Sequence, residues 1–412
     1  MATSRSFSSM LNQYLPNKLL KEELIRRDWF LSNVQKDEKW KGGTVIVPFK
    51  GAGASSIEFG QLAGASDISE SEYVRGTISA YKEVWGSLLF NHTDLMQHDG
   101  KMPESTFIRV LSDNLEDFMI NMKEAVSINL LTGPHFAKAT ADSDLSNGVI
   151  EVDRIDRFAL GQKASIDDDN STATNVYVIA INIDLGRVTV SASRGGGALD
   201  ISAYTTAQNT KFYHPGAQAA GFQSVRDALL SAANGGGSSL HGQTKTAYPF
   251  LQAVNISGAA ITSANILDEI FDAYADVRKK ARGKANKVVM GFKHLGAVLK
   301  LLQTEKGGYH SAGQQKASEF GWTEIVIGNV QGSQLTLVGI QEMDDDVIFF
   351  LDMSSMKFRS NGMFKKRKSP DGIEFYETRS TSGYNYIVDV CLFGELEVCK
   401  PGCNGVIYSI SY

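Results

Sequence analysis

The sequence predicts an α+β protein, and three observations carry that prediction. A single apolar stripe of helical period runs from 102 to 134, and a block of two-residue alternation fills 150 to 212. Beyond 263, helix and strand signals alternate before the chain finishes in strands. At 412 residues the chain can bury a sizeable core, as roughly two to four domains or as one core with large insertions.

Taken in order, residues 17 to 35, "NKLLKEELIRRDWFLSNVQ", place Leu19, Leu20, Leu24, Ile25 and Leu31 among charges, so an amphipathic helix is expected in an N-terminal arm. "TVIVPFKGAGASSIEFGQL", 44 to 62, reads as a strand stopped near Pro48 and Phe49, a small-residue turn and a second extended piece. In "TISAYKEVWGSLLF", 77 to 90, Ile78, Ala80, Lys82 and Val84 alternate with Ser79, Tyr81, Glu83 and Trp85, which reads as one strand with both faces partly covered. These segments make a long two-stranded excursion. A lone hairpin is marginal in water, so a neighbouring subunit is the economical surface for it to lie on.

The longest helix signal follows, "MPESTFIRVLSDNLEDFMINMKEAVSINLLTGP". Pro103 suits a first turn, Glu104 sits near the positive end of the dipole, and Gly133 with Pro134 ends the run. Phe107, Leu111, Leu115, Phe118, Met122, Ala125 and Ile128 step by four and three. From 150 the period changes: "VIEVDRIDRF", "QKASIDDD" and "NVYVIAINIDLGRVTVSA" read as strands, with a turn at Asp184-Leu185-Gly186. Further on, Ile266, Ile270, Phe271, Tyr274 and Val277 mark a helix, Val288 to Met290 a short strand, and Leu295, Val298, Leu299 and Leu302 a second helix. "VRKKARGKANK" reads as a solvated basic helix end and loop, with an electrostatic contact to an acidic partner or nucleic acid as the alternative. "TEIVIGNV", "QLTLVGI" and "VIFFLD" are strands. "GMFKKRKSPDGIEFYETRS" is a hairpin on Pro370-Asp371-Gly372, and "NYIVDVCLFGELEVCKPGCNGVIYSISY" closes the chain in strands.

Motifs that carry chemistry are missing from the sequence. "NGGGSSLHGQTKT", 234 to 246, imitates a phosphate-binding loop through Gly237, Gly242, Lys245 and Thr246. Gln243 and Thr244 intervene before the lysine, and Phe222, Val225, Leu229 and Leu230 before the loop have helical rather than strand spacing, so a Gly-rich hairpin or surface loop is expected. "SRGGGALD" reads as another hairpin tip. Asp167, Asp168 and Asp169 alternate in direction on an extended chain and lack the glycine and closing glutamate of a calcium loop, and "MDDDV", 343 to 347, reads as an acidic turn. Cys391, Cys399 and Cys403 are an odd number and supply only half a metal site, so they read as reduced apolar side chains around a final turn at Pro401 and Gly402. The net charge of −5 gives no global basic field for holding nucleic acid. No apolar run approaches the ~20 residues of a membrane span and no signal-peptide core opens the chain, so folding in a cytoplasm is expected.

The order of these segments resembles that of tailed-bacteriophage major capsid proteins, whose fold is shared with bacterial encapsulin shells: arm, two-stranded loop, spine helix, α/β region, and a return to strands in "IVDVCLFGELEVCKPGCNGVIYSI". The phrases "YKEVWGSLLFNHTDL", "ALLSAANGGGSSLHGQTKTAYPFLQAVNISG" and "VDVCLFGELEV" are similar to those of such shell proteins, and the resemblance covers most of residues 40 to 412. It implies an arm at 1 to 42 over a neighbouring subunit, an extended loop at 43 to 76, a peripheral domain from 77 to 150 and 351 to 412, an inserted small β domain at 151 to 212, and an axial domain at 213 to 350.

The function implied is structural, not enzymatic, with no catalytic, cofactor or metal residues. The subunit would form the pentamers and hexamers of an icosahedral head shell enclosing double-stranded DNA. The implied partners are copies of itself, a separate scaffolding protein, a portal protein at one vertex, a decoration protein, and packaged DNA touched loosely; no membrane is involved. The implied location is the virion, after assembly in the host bacterial cytoplasm. The alternative is an encapsulin-like compartment housing enzyme cargo, against which the length and the inserted β domain count; an enzyme with an unrecognised site comes third. Family members with a cleaved N-terminal scaffold carry a large segment there, whereas about 42 residues precede the loop here and Met1 is present, so the scaffold is expected to be a separate protein. Other members join Lys to Asn by an isopeptide bond. Lys50 lies in the loop, and Asn361 or Asn404 would be the acceptor, but an exposed or ion-paired lysine is the preferred reading.

Overall fold

The computed structural model describes residues 28–50, 73–91, 104–167, 174–204, 210–281, 285–305, 324–330, 333–362, 364–368, 376–380 and 383–412. The expectations for 17–27, the loop at 51–72, Asp168 and Asp169, and the turn at Pro370, Asp371 and Gly372 lie outside these residues. The chain divides into two units. One comprises Lys82–Ser224 and Phe364–Leu392, and the other Ile25–Tyr81, Val225–Met363 and Phe393–Tyr412.

In the first unit, the expected long helix runs Glu104–Leu131, 28 residues, or about 42 Å at the α-helical rise. Its end follows from the sequence: Gly133 takes φ +122, its amide donates to Ile128 O at 3.2 Å, and the Thr132 hydroxyl donates to the same carbonyl at 3.0 Å. Of the expected stripe Met122 and Ile128 are buried, the side chains of Phe107, Leu111 and Leu115 lie outside those described, and the rest differs. Met119, Met122 and Val126 are buried while Phe118 and Ala125 are only half-buried, and Ser127 to Leu131 are buried on every side. A segment enclosed all round has no single apolar face for a period to mark.

The helix leads into a closed six-stranded barrel in the order Lys211–Tyr213, His135–Asp144, Val149–Val152, Arg187–Ser191, Thr174–Asn182, Lys163–Asp167. Alternate residues fill it: Ile150 and Val152, Ala164 and Ile166, Val176 and Val178, Val188 and Val190. Phe158 meets Phe136 and Phe212 edge-on at 5.0 and 5.1 Å and plugs the interior. The turn at Asp184 to Gly186 stands as expected, with Gly186 at φ +63. The strand block begins at His135, earlier than the expected 150, because "HFAKATADSD" is poor in β-branched residues and hides its first strand.

The run 77 to 90 is two strands, not one. Tyr73–Ile78 pairs with Val45–Lys50, and after a break Lys82–Asn91 joins Gly383–Val398. Alternation continues in register across the break, so the sequence pattern does not reveal the change of partner. Tyr81, at the break, sets its ring edge-on to Trp40 and Phe393 at 5.9 and 5.3 Å. The expected hairpin on residues 370 to 372 is also corrected. Lys365–Lys366 and Tyr376–Ser380 each pair with Gly383–Val398 and, among the described residues, not with each other.

The second unit is built on a mixed six-stranded sheet, ordered Val254–Ser257, Gly405–Tyr408, Val347–Leu351, Lys287–Met290, Ser333–Gly339, Glu324–Val330. Helices Ile266–Ala281 and Phe292–Glu305, both as expected, cover it through Ile270, Val277, Leu295 and Val298, which meet Val288, Leu337, Ile348 and Phe350. The last strand of the chain is an inner one, parallel to Val254–Ser257 and antiparallel to Val347–Leu351. Gly405 permits this, since a Cβ there would lie 2.2 Å from Val277 Cγ2.

A continuous helix across 17 to 35 does not form. Asp28 is extended (φ −94, ψ 115), and its carboxylate accepts the Leu31 amide at 2.7 Å, capping a short helix Trp29–Asn33 that starts there. The next residues, Gln35–Asp37, form a strand parallel to Met356–Ser360. Arg359 then ties the segment down through Asp37 at 2.7 Å and through Glu397.

Candidate functional site

The candidate contact feature is the ribbon of Val45–Lys50 and Tyr73–Ile78, whose strands are joined by residues 51–72. Pairing runs from Val45 opposite Ile78 to Lys50 opposite Tyr73. The strand, expected to stop near Pro48 and Phe49, passes through both and ends at Lys50, with Pro48 opposite Arg75. Among the described residues the ribbon has two strands only, so Pro48 lies in an edge strand, where a missing amide is tolerated.

Strand alternation gives the ribbon two faces. Val47, Phe49 and Ile78 are buried, at 0%, 1% and 4% exposure. The opposite face carries Ile46 at 57% and Tyr73 at 59%, alongside exposed Pro48, Lys50, Arg75 and Thr77. Large apolar groups are thus held outward in a row with a proline and two cations.

The inward face is locked by the Gly-rich segment that imitates a phosphate loop. Ser239–Leu240 and Gln243–Thr244 form a hairpin, as expected, with His241 at φ +47 and Gly242 at φ +78 as its two-residue turn. The segment lies largely at the surface, with Leu240, His241 and Lys245 turned inward and buried. The His241 ring stacks on Phe49 with centroids 6.0 Å apart and planes at 11°, and its Nε2 accepts the Val398 amide at 3.1 Å. The Thr77 amide donates to His241 O at 2.8 Å, and Gln243 Nε2 donates to Arg75 O at 2.8 Å. Gly76 allows the close approach: a Cβ there would lie 2.5 Å from Phe49 Cε2 and 3.1 Å from His241 Cβ. Burial lowers the His241 pKa to about 4, against the pull of Glu397, so the ring is neutral and acts as an acceptor.

Lys245, the residue that mimics a phosphate-loop lysine, turns inward. Its ammonium donates to Asp227 O and, at 2.7 Å, to Leu230 O, capping the end of the short helix Val225–Leu229. Burial lowers its pKa to about 8. The acidic turn at 343 to 347 also differs from expectation. Asp344 is buried, and Arg226 bridges it at 3.5 Å and Asp346 at 2.9 and 2.8 Å. The partners are over a hundred residues apart, so no local pattern could announce the pair.

The remaining singled-out residues have structural positions. Lys50 is exposed at the end of its strand, and Asn361 is exposed. Asn404 is buried with both ends of its amide engaged: Oδ1 accepts the Asp352 amide at 2.8 Å, and Nδ2 donates to Ser355 Oγ at 3.0 Å and Lys400 O at 3.1 Å. Asp167 is buried and accepts from Gln218. Cys391, Cys399 and Cys403 are free thiols. Burial pushes the first two up to about 11 and about 12, with Glu397 adding to the rise at Cys399, and raises Cys403. Among the described residues no three His, Cys, Asp or Glu side chains converge as a metal site would require, and no helix is long and apolar enough to cross a membrane.

No family model matches the chain, and no curated protein matches it by sequence. Among solved structures it is similar to a Cyanophage A-1(L) capsid asymmetric unit, at 10% identity and TM-score 0.48 over 92% of this chain and 91% of that one. It is similar to the capsid of a native GTA particle at 11% identity and TM-score 0.45, covering 92% and 90%. It is similar to the capsid of Myoviridae phage XM1 at 9% identity and TM-score 0.40, covering 92% and 91%.

Proposed function

We propose that this chain is a structural subunit of a tailed-bacteriophage head shell, assembling into pentamers and hexamers around double-stranded DNA. The observation that carries the reading is the ribbon. Its root is locked by Phe49, Gly76 and His241 while Ile46, Pro48 and Tyr73 face outward, the arrangement of an element meant for a surface beyond its own chain. The long helix and the order of the segments agree with the resemblance. In this reading 1 to 42 is the arm, 43 to 76 the extended loop, 77 to 150 with 351 to 412 the peripheral domain, 151 to 212 the inserted β domain and 213 to 350 the axial domain.

The role is structural, not catalytic. Among the described residues, three buried ionisable groups are engaged: Lys245 with carbonyls, Arg226 with Asp344 and Asp346, and His294 with Tyr412 Oη and Asp345 O at 2.7 Å each. Assembly takes place in the host bacterial cytoplasm with a separate scaffolding protein. A portal occupies one vertex, and DNA contact is loose.

Electron microscopy after size exclusion, on the chain expressed alone and with its genomic neighbours, tests this. Capsomer rings or closed particles containing DNA are expected, and enzyme cargo inside them would favour the compartment alternative. A persistent monomer under both conditions refutes the reading. Ile46→Glu with Tyr73→Glu should leave the monomer folded and abolish particles.

A further inference from the structure

The Ile266–Ala281 helix packs Ile270, Tyr274 and Val277 on its sheet and turns Asp268, Phe271, Asp272 and Lys279 outward. Its charges are segregated. Asp268, Glu269, Asp272 and Asp276 come first with no cation among them, and Arg278 and Lys279 follow. The helix dipole explains acids in a first turn and bases in a last turn, and its influence fades beyond them. Asp272 lies one turn further in, so the dipole does not account for it, whereas Asp276, next to the basic end, is already engaged. Nor does it account for Phe271, 38% exposed between Asp268 and Asp272. Arg278 is held in place over the Tyr274 ring, 5.8 Å from its centroid.

Asp268 and Lys279 are about 16 Å apart at the α-helical rise, twice the ~8 Å Debye length at physiological ionic strength. Asp268 and Lys279 therefore do not neutralise each other in solution. A second copy placed head to tail brings acid against base at every junction, with Phe271 as the apolar anchor between them.

We infer that this helix face is a contact between copies of the chain, the acidic half on one copy meeting the basic end on the next. Such a heterologous contact satisfies both ends of every copy only where the chain of contacts closes into a ring. The inference rests on the shell-subunit reading and specifies which surface closes its pentamers and hexamers.

The test uses the full chain, with ring formation followed by sedimentation velocity and microscopy. Asp272→Lys should raise the concentration needed for rings about tenfold by setting cation against cation, and Lys279→Glu should do the same. The two changes in one chain should restore assembly, because they exchange the partners. Both residues are exposed, so circular dichroism should be unchanged, and if one single variant misfolds the other still decides. A wild type that forms rings while both single variants match it, or while the double variant is no better than either, overturns this contact alone. A wild type that forms no rings overturns the shell reading and the inference with it.

Discussion

Acid should loosen the root of the ribbon through His241. Its buried ring accepts the Val398 amide through Nε2 at 3.1 Å, a bond open only to neutral imidazole, and burial lowers its pKa from 6.5 to about 4. The unfolded ring takes up its proton near pH 6.5 and the folded ring near pH 4. The contribution of this residue to stability is therefore complete above pH 6.5, diminishes as pH falls, and is lost through about pH 4. Linkage over that interval gives a loss of about 2 kcal/mol between pH 7.5 and pH 5, and about 3 kcal/mol at pH 4. The assay is hydrogen exchange at the Thr77 and Val398 amides, the two that His241 accepts, corrected for intrinsic pH dependence. Protection should fall about thirtyfold between pH 7.5 and pH 5. His241→Asn keeps a side chain tolerated at φ +47, so it should be less protected at pH 7.5 and show no such fall. His214, also lowered to about 4 by burial and by Arg157, lies in the other unit, so amide-resolved exchange separates the two. Equal pH slopes in the wild type and His241→Asn would refute the reasoning.

Three further outcomes are expected. Gly405→Ala drives a Cβ to within 2.2 Å of Val277 Cγ2 and should cost about 1–3 kcal/mol in denaturant unfolding, by overpacking; Val277→Ala in the same chain should recover part of it. Lys245→Met strips the donor from Asp227 O and Leu230 O and should destabilise by about 2 kcal/mol, measured the same way. Cys391 and Cys399, raised to about 11 and about 12 by burial, should resist iodoacetamide at pH 8 in the native protein and react once it is denatured, as mass spectrometry would show.

What the sequence determined by itself is the local chemistry. The stop at Gly133 needs only the glycine that tolerates φ +122. The two helices over the second sheet and the strands at 288, 324, 333 and 347 follow from periods set by backbone geometry alone. That Lys245 is no phosphate ligand was also legible, from spacing and from the helical run before the loop. What only the tertiary structure decided is partnership. Whether 77 to 90 is one strand or two, which strand Tyr376–Ser380 joins, and that the final strand lies inside a sheet all depend on residues far apart in the chain. His241 carried no signal within the Gly-rich segment, and only folding brought Phe49 and Val398 against it; Asp344 and Asp346 read as part of an acidic turn until Arg226 met them. A period reports which face of an element is apolar, because that is a property of the backbone. Which surface covers that face depends on the whole chain closing its long loops at once, and no short stretch of sequence contains that information.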